Sequence, residues 1–158
     1  MTVAELGAFL HAELPQMFGS GDITIENADG ETCLLRQRYS DQMLRPGGTV
    51  SGPTLMGLAD CAMYVVLLSA IGPVGRAVTT SLNINFLRKG APGDDLLAAA
   101  RLMKLGKRQA AGSWRGQPAV GCFSRSNCPC HRDLFHSRQT NFLTVLLDHK
   151  PNLLFLLL

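Results

Sequence analysis

The sequence predicts an α+β fold in which an antiparallel sheet wraps one long central helix. Three observations predict it. The apolar run "PTLMGLADCAMYVVLLSAI" at 53–71 contains a single charged side chain, Asp60. A hairpin pattern precedes it, "DITIENADGETCLLRQRY" at 22–39, with Asp29-Gly30 as its turn. An alternating segment follows, "AVTTSLNINFLRK" at 77–89.

Each element has its own warrant. Residues 2–18 read as an amphipathic helix: Leu6, Phe9, Leu10, Leu14 and Met17 recur at helical spacing. Thr2 and Glu5 form a capping box at its start, and Gly19-Ser20-Gly21 stops it. Ile23 and Ile25 open the hairpin, and Cys33–Tyr39 form its return strand. After the loop "SDQMLRPGGTVSGP", Pro53 fits the first position of the central helix, with Gly52 as its cap. That helix runs about five turns before Gly72-Pro73 ends it. Being apolar almost all round, it is expected to be buried on most sides. In the next strand, Val78, Thr80, Leu82, Ile84 and Phe86 are expected on one face, with Thr79, Ser81, Asn83 and Asn85 on the other. "LLAAARLMKLGKR" at 96–108 reads as a further strand, though its alanines and leucines equally allow a helix.

Composition narrows the function. The 158 residues suit one domain with its own core, and 46% hydrophobic with 17% charged residues is a globular balance. A net charge of +3, with no basic run interleaved with aromatics, does not point to nucleic acid. No signal peptide and no uninterrupted bilayer-length apolar segment are read, so a cytoplasmic protein without a membrane partner is expected. Five cysteines cannot form a complete disulfide set, and reduced thiols are expected.

Asp60 carries the chemistry. It lies about two turns into the helix. The first-turn N–H groups of a helix lack intrahelical acceptors and bear partial positive charge, so they can hold a developing oxyanion. Gly47, Gly48 and Gly52 let a ligand approach the backbone closely. A carboxylate near such donors can attack a polarised carbonyl, or activate a water that does. Thr79 or Thr80 can orient that water. Equally, Asp60 can be a structural carboxylate bonded to a loop or to Tyr64 one turn on, and the glycines plain turn residues.

The stretch from Gly47 to Arg108 resembles the hotdog-fold thioesterases of the phenylacetic acid degradation type. A glycine-containing turn leads into the helix, "LAD" places its Asp eight residues after Gly52, and "VTTSLNINFLR" follows. The match is close over 45–108 and loose over 2–44. The resemblance implies hydrolysis of acyl-CoA thioesters without metal or bound cofactor. By position, Asp60 matches the nucleophile or general base, Gly52 the N–H that polarises the carbonyl, and Thr79 the hydroxyl that helps place water. Arg45, Gly48, Ser51, Thr54, Tyr64, Thr80 and Arg88 are the implied substrate-binding positions. The family's active site lies between two subunits, so a homodimer or dimer of dimers is implied. Two departures adjoin the chemistry. The common His-Gly-Gly is here Ser51-Gly52-Pro53, and Pro53 has no N–H. Arg45 stands where many members carry asparagine. These departures keep a rival in view: a hotdog module that binds acyl-CoA, or only dimerises, without turnover. Acyl dehydration on this fold is disfavoured, since His11 is the only histidine before residue 109.

The sequence divides at 108. Residues 1–108 hold ten basic and ten acidic side chains, and 109–158 hold five and two. The later segment shows no clear strand period, and 141–158 reads as an apolar hairpin candidate. A shift of reading frame near residue 109 would explain the change. Cys122, Cys128, Cys130, His131 and His136 resemble a zinc set but lack a Cys-x2-Cys pair, so incidental cysteines and no metal are expected.

Overall fold

The computed structural model describes residues 1–74, 77–86, 89–118 and 141–147. Helix α1 spans Val3–Glu13, with the Thr2–Glu5 capping box formed in both directions. The single amphipathic helix expected over 2–18 is divided: α2 is a separate turn, Pro15–Phe18. Pro15 is the cause, because proline disfavours helical backbone in the residue before it. Leu14 accordingly sits at φ −130° and ψ 55°.

Strands β1 (Ile23–Ala28) and β2 (Thr32–Gln37) form the expected hairpin, β2 ending two residues early. Asp29 Oδ1 accepts the N–H groups of Glu31 and Thr32, at 2.9 and 2.6 Å, which closes the turn. A small ribbon follows, β3 (Leu44–Arg45) against β4 (Thr49–Val50). Helix α3 is Gly52–Ile71, and Gly72 ends it at φ +87°.

Then come β5 (Ala77–Asn83), β6 (Leu96–Leu105), β7 (Gln109–Pro118) and β8 (Asn141–Leu147). The described sheet has the order β1-β2-β6-β7-β8-β5, antiparallel throughout. Helix α3 packs chiefly on β6, and on β2 and β7 beside it. This is the predicted α+β hotdog architecture, a sheet curled round one helix. The core lies between them, where Leu58, Ala62, Met63, Val65 and Val66 meet Cys33, Leu35, Ala98, Trp114 and Leu143.

The structure resolves β6 as a strand despite its alanines. All of Leu96–Ala100 is buried on both faces. Small residues there let the strand sit in mid-sheet under the helix, and tertiary packing overrides helix propensity.

The described part of the later chain joins the same sheet. The sheet does not stop at 108: β6 turns through Gly106–Arg108 into β7, so no domain boundary falls there among the described residues. Of the hairpin candidate 141–158, residues 141–147 are described. They insert between β7 and β5 as β8, and residues 148–158 lie outside the described residues. Strand period is hidden in β7 because Gly112, Gly116 and two alanines replace the large apolar side chains that usually mark it.

Helix α3 also corrects the reading of apolar length. At 20 residues and mean hydropathy 1.8 it is long and apolar enough to cross a membrane, but 56% of that window is buried inside this fold. It is the core helix.

Candidate functional site

The start of α3 is fixed from several sides. Gly47 (φ +99°) and Gly48 (φ +67°) turn the chain between β3 and β4 in a conformation that favours glycine. The Gly48 N–H donates to the Arg45 carbonyl at 3.1 Å. Arg45 Nε donates to Thr49 Oγ1 at 2.9 Å, which ties its side chain to the exposed ribbon. The Ser51 N–H donates to the Met43 carbonyl at 2.8 Å.

Ser51, not Gly52, is the cap. Its hydroxyl accepts the Thr54 N–H at 3.4 Å and lies 2.8 Å from Thr54 Oγ1. Glycine has no side chain to do this, so it becomes the first helical residue, with Pro53 second. Ser51 and Thr54, expected as substrate-binding residues, are thus joined to each other. The cap also decides which donor is left: Pro53 has no N–H and Thr54 donates to Ser51. That leaves the Gly52 N–H as the first-turn donor the cap does not use, at the positive end of the helix dipole.

Gly52, Met56 and Asp60 follow at intervals of four, which places them along one helix face. That stripe escapes the sheet. Met56 and Asp60 are exposed while Ala59 and Cys61 on either side of the aspartate are buried. The run is buried on most sides, as expected, but Asp60 itself is not.

Thr79 reaches Asp60. Its hydroxyl donates to Asp60 Oδ1 in a short hydrogen bond from β5 to α3. The alternative partner is excluded by geometry, since Tyr64 Oη donates to the Val74 carbonyl at 2.8 Å. Thr79 points to the helix because β5 carries a bulge. Thr79 pairs with Val145 and Ser81 with Thr144, so Thr80 is the extra residue. The Thr80 hydroxyl donates to the Thr144 carbonyl at 3.2 Å, away from the carboxylate.

The bulge overturns the expected face assignment. Before it, Ala77 and Thr79 turn inward and Val78 is 55% exposed. After it, Leu82 and Ile84 pack on the core. A strict period of two cannot continue through an extra residue. Sequence reading also missed Phe86. The sequence groups it on one face with Val78, Thr80, Leu82 and Ile84, with no contact to Gly52 expected, and its ring lies against Gly52. The nearest atoms to where a Gly52 side chain would begin are Phe86 Cζ and Cε2, at 3.5 and 3.7 Å.

Burial pushes the Cys61 thiol up to about 12, and the neighbouring Asp60 charge adds to the push. Burial likewise takes Cys33 to about 12. Neither thiol is an available nucleophile near neutral pH.

Gly52 and Asp60 stand eight residues apart on one helix, about 12 Å along its axis at 1.5 Å per residue. A carbonyl oxygen held by the Gly52 N–H is therefore out of reach of the same chain's Asp60.

Among the described residues no group of three or more His, Cys, Asp or Glu side chains could hold a metal ion. Cys122, Cys128, Cys130, His131, His136 and Arg88 lie outside the described residues. An open cleft of about 470 Å3 lies elsewhere, between Gly30-Glu31 and Arg101–Leu105, and none of the candidate site residues lines it.

Comparison with known proteins identifies the family of the chain. Residues 47–113 match the family model of the thioesterase superfamily. A candidate thioesterase from Silicibacter sp. is 30% identical over 92% of this chain and 91% of its own, with a TM-score of 0.71. A hypothetical thioesterase from Streptococcus pneumoniae, solved with coenzyme A, is 18% identical over 90% of this chain and 96% of its own, at TM-score 0.67. The PaaI protein of the Escherichia coli phenylacetic acid degradation operon is 21% identical over 90% and 92%, at TM-score 0.62. The latter two share the fold. A search of curated proteins finds no match.

Proposed function

Because the chain belongs to the thioesterase superfamily, we propose that it hydrolyses acyl-CoA thioesters at a site shared between two protomers. The carrying observation is the outward Asp60–Thr79 pair, set about 12 Å from the Gly52 donor on the same helix. Two copies of α3 running antiparallel, face to face, would bring Asp60 of one protomer to Gly52 of the other, twice, about a two-fold axis.

In this reading the Gly52 N–H donates to the thioester carbonyl oxygen and stabilises the charge that develops on it. Thr79 holds one Asp60 oxygen and leaves the other for chemistry. Acting as base, Asp60 takes a proton from water, and the water oxygen bonds to the carbonyl carbon. The tetrahedral oxyanion then collapses, the C–S bond breaks, and the proton passes to the departing CoA sulfur. Acting as nucleophile, Asp60 bonds to the carbon first, the C–S bond breaks and CoA leaves as thiolate. This gives a mixed anhydride that water opens to the acid and the free carboxylate, one proton going to the thiolate. Single-turnover hydrolysis in 18O-water separates the routes, because only the anhydride route can leave label in Asp60.

One observation favours the rival, a binding module without turnover. With Pro53 in place and Thr54 committed to Ser51, a single N–H serves the oxyanion. Thiol release decides against the rival.

Subunit complementation tests the shared site. Asp60→Asn removes the carboxylate. Gly52→Pro removes the N–H at a position where proline suits a helix. Each variant alone should release little thiol from acyl-CoA. A re-equilibrated mixture should recover about a quarter of wild-type activity, since half the dimers are mixed and each holds one intact site. An inactive mixture of folded, exchanging dimers would overturn the shared site.

A further inference from the structure

Among the described residues the strongly exposed apolar side chains are Val3, Met56, Val78, Phe86, Met103 and Leu105, and Phe86 is the one aromatic ring. A half-exposed phenylalanine, 53% accessible, is informative in a way that a single exposed aliphatic is not. Its position is held. Ile84, two residues before it, packs on the core. Gly90, four residues after it, accepts the Val50 N–H at 3.2 Å, which fastens this segment to the strand that leads into α3. The ring edge rests 3.5 Å from the point where a Gly52 side chain would begin. One turn along the stripe, Met56 is 41% exposed.

The Gly52 donor is therefore flanked by two apolar side chains that the fold leaves uncovered. A carbonyl oxygen bonded to that N–H would lie about 3 Å away. The carbon chain attached to the carbonyl would then fall within van der Waals reach of the ring. Resting on the thioesterase reading above, we propose that Phe86 is a specificity-determining residue, whose ring forms the wall for the acyl group beside Gly52 and selects flat or apolar acyl groups over small ones. The ring also keeps water from one side of the donor, which strengthens its hold on the oxyanion.

The test compares acetyl-, hexanoyl- and benzoyl-CoA on wild type, Phe86→Ala and Phe86→Leu, with melting curves to confirm folding. In Phe86→Ala the hexanoyl/acetyl and benzoyl/acetyl ratios of kcat/KM should each fall about tenfold. Phe86→Leu should restore the hexanoyl ratio more than the benzoyl ratio, because it is apolar but not flat. Unchanged ratios in Phe86→Ala would overturn the proposal. So would an equal loss for all three esters, which would put the ring against the CoA side of the substrate. If wild type releases no thiol, the hydrolase reading fails separately. The same esters then test the ring by ligand-dependent melting: a preference for hexanoyl and benzoyl esters that Phe86→Ala erases supports it, and one that survives overturns it.

Discussion

The Thr79 hydroxyl, on edge strand β5, is hydrogen-bonded to the Asp60 carboxylate on helix α3. Asp60 is exposed, so this bond fixes the carboxylate's direction where burial does not. Thr79→Val keeps the shape and removes the donor. A lost hydrogen bond to a charged group costs about 1.5–3 kcal/mol. Thiol release should fall roughly 10- to 100-fold at about 1.36 kcal/mol per decade, and the melting temperature should fall by no more than several degrees. Thr79→Ser should restore most of it. Equal rates in wild type and Thr79→Val would remove Thr79 from the chemistry.

The two buried cysteines give a pH prediction. Burial lifts Cys33 from its ordinary 9.0 to about 12, and burial with the Asp60 charge does the same for Cys61. Above pH 9 the folded state then keeps protons that the unfolded state has lost. Stability from these groups is complete below pH 9 and falls as pH rises toward 12. At pH 8.5 iodoacetamide should leave both residues unlabelled in the folded protein and label both in urea, read by peptide mass spectrometry. Rapid native labelling of Cys61 would show that this part of α3 opens readily.

The elements specified by local pattern were legible in the sequence: the capping box, the Asp29-Gly30 hairpin, the apolar helix and the strands that flank it. What escaped depends on distant partners. The β5 phase change at Thr80 is set by its register with β8, some sixty residues later. Without it, Thr79 and Thr80 could not be told apart from the residues alone, and the family resemblance selected Thr79. Strand β7 escaped because its small residues conceal a period of two, and 141–147, legible as an apolar hairpin arm, gave no sign that its partners are β7 and β5. Phe86 shares the phase of Leu82 and Ile84 in the sequence but lies beyond the end of β5, where strand alternation no longer places a side chain.

The charge imbalance after residue 108 still calls for an account. The family match runs on to residue 113, so any shift of frame is expected within or after β7 rather than at 108. Sequencing the genomic locus checks this. An alternative frame that encodes a plain alternating strand downstream supports the shift, and a locus without one removes it.

Gly112 tests the placement of β7 directly. It sits where α3 comes nearest to the strand. A Cβ there would collide with the Met63 sulfur, come within 2.5 Å of Met63 Cε and stand 2.7 Å from the Arg101 carbonyl oxygen. The methionine is flexible and can give way, but the carbonyl belongs to β6, paired with β7 on both sides of the contact. Gly112→Ala should therefore cost about 1–3 kcal/mol as overpacking, and lower the melting temperature by about 2–4 °C per kcal/mol for a chain of this size. Met63→Ala in the same chain should relieve only the side-chain part, so the double variant should not recover fully. A Gly112→Ala protein that melts with wild type would mean that β7 is not under the helix. The inner wall of the sheet would then have to be built differently.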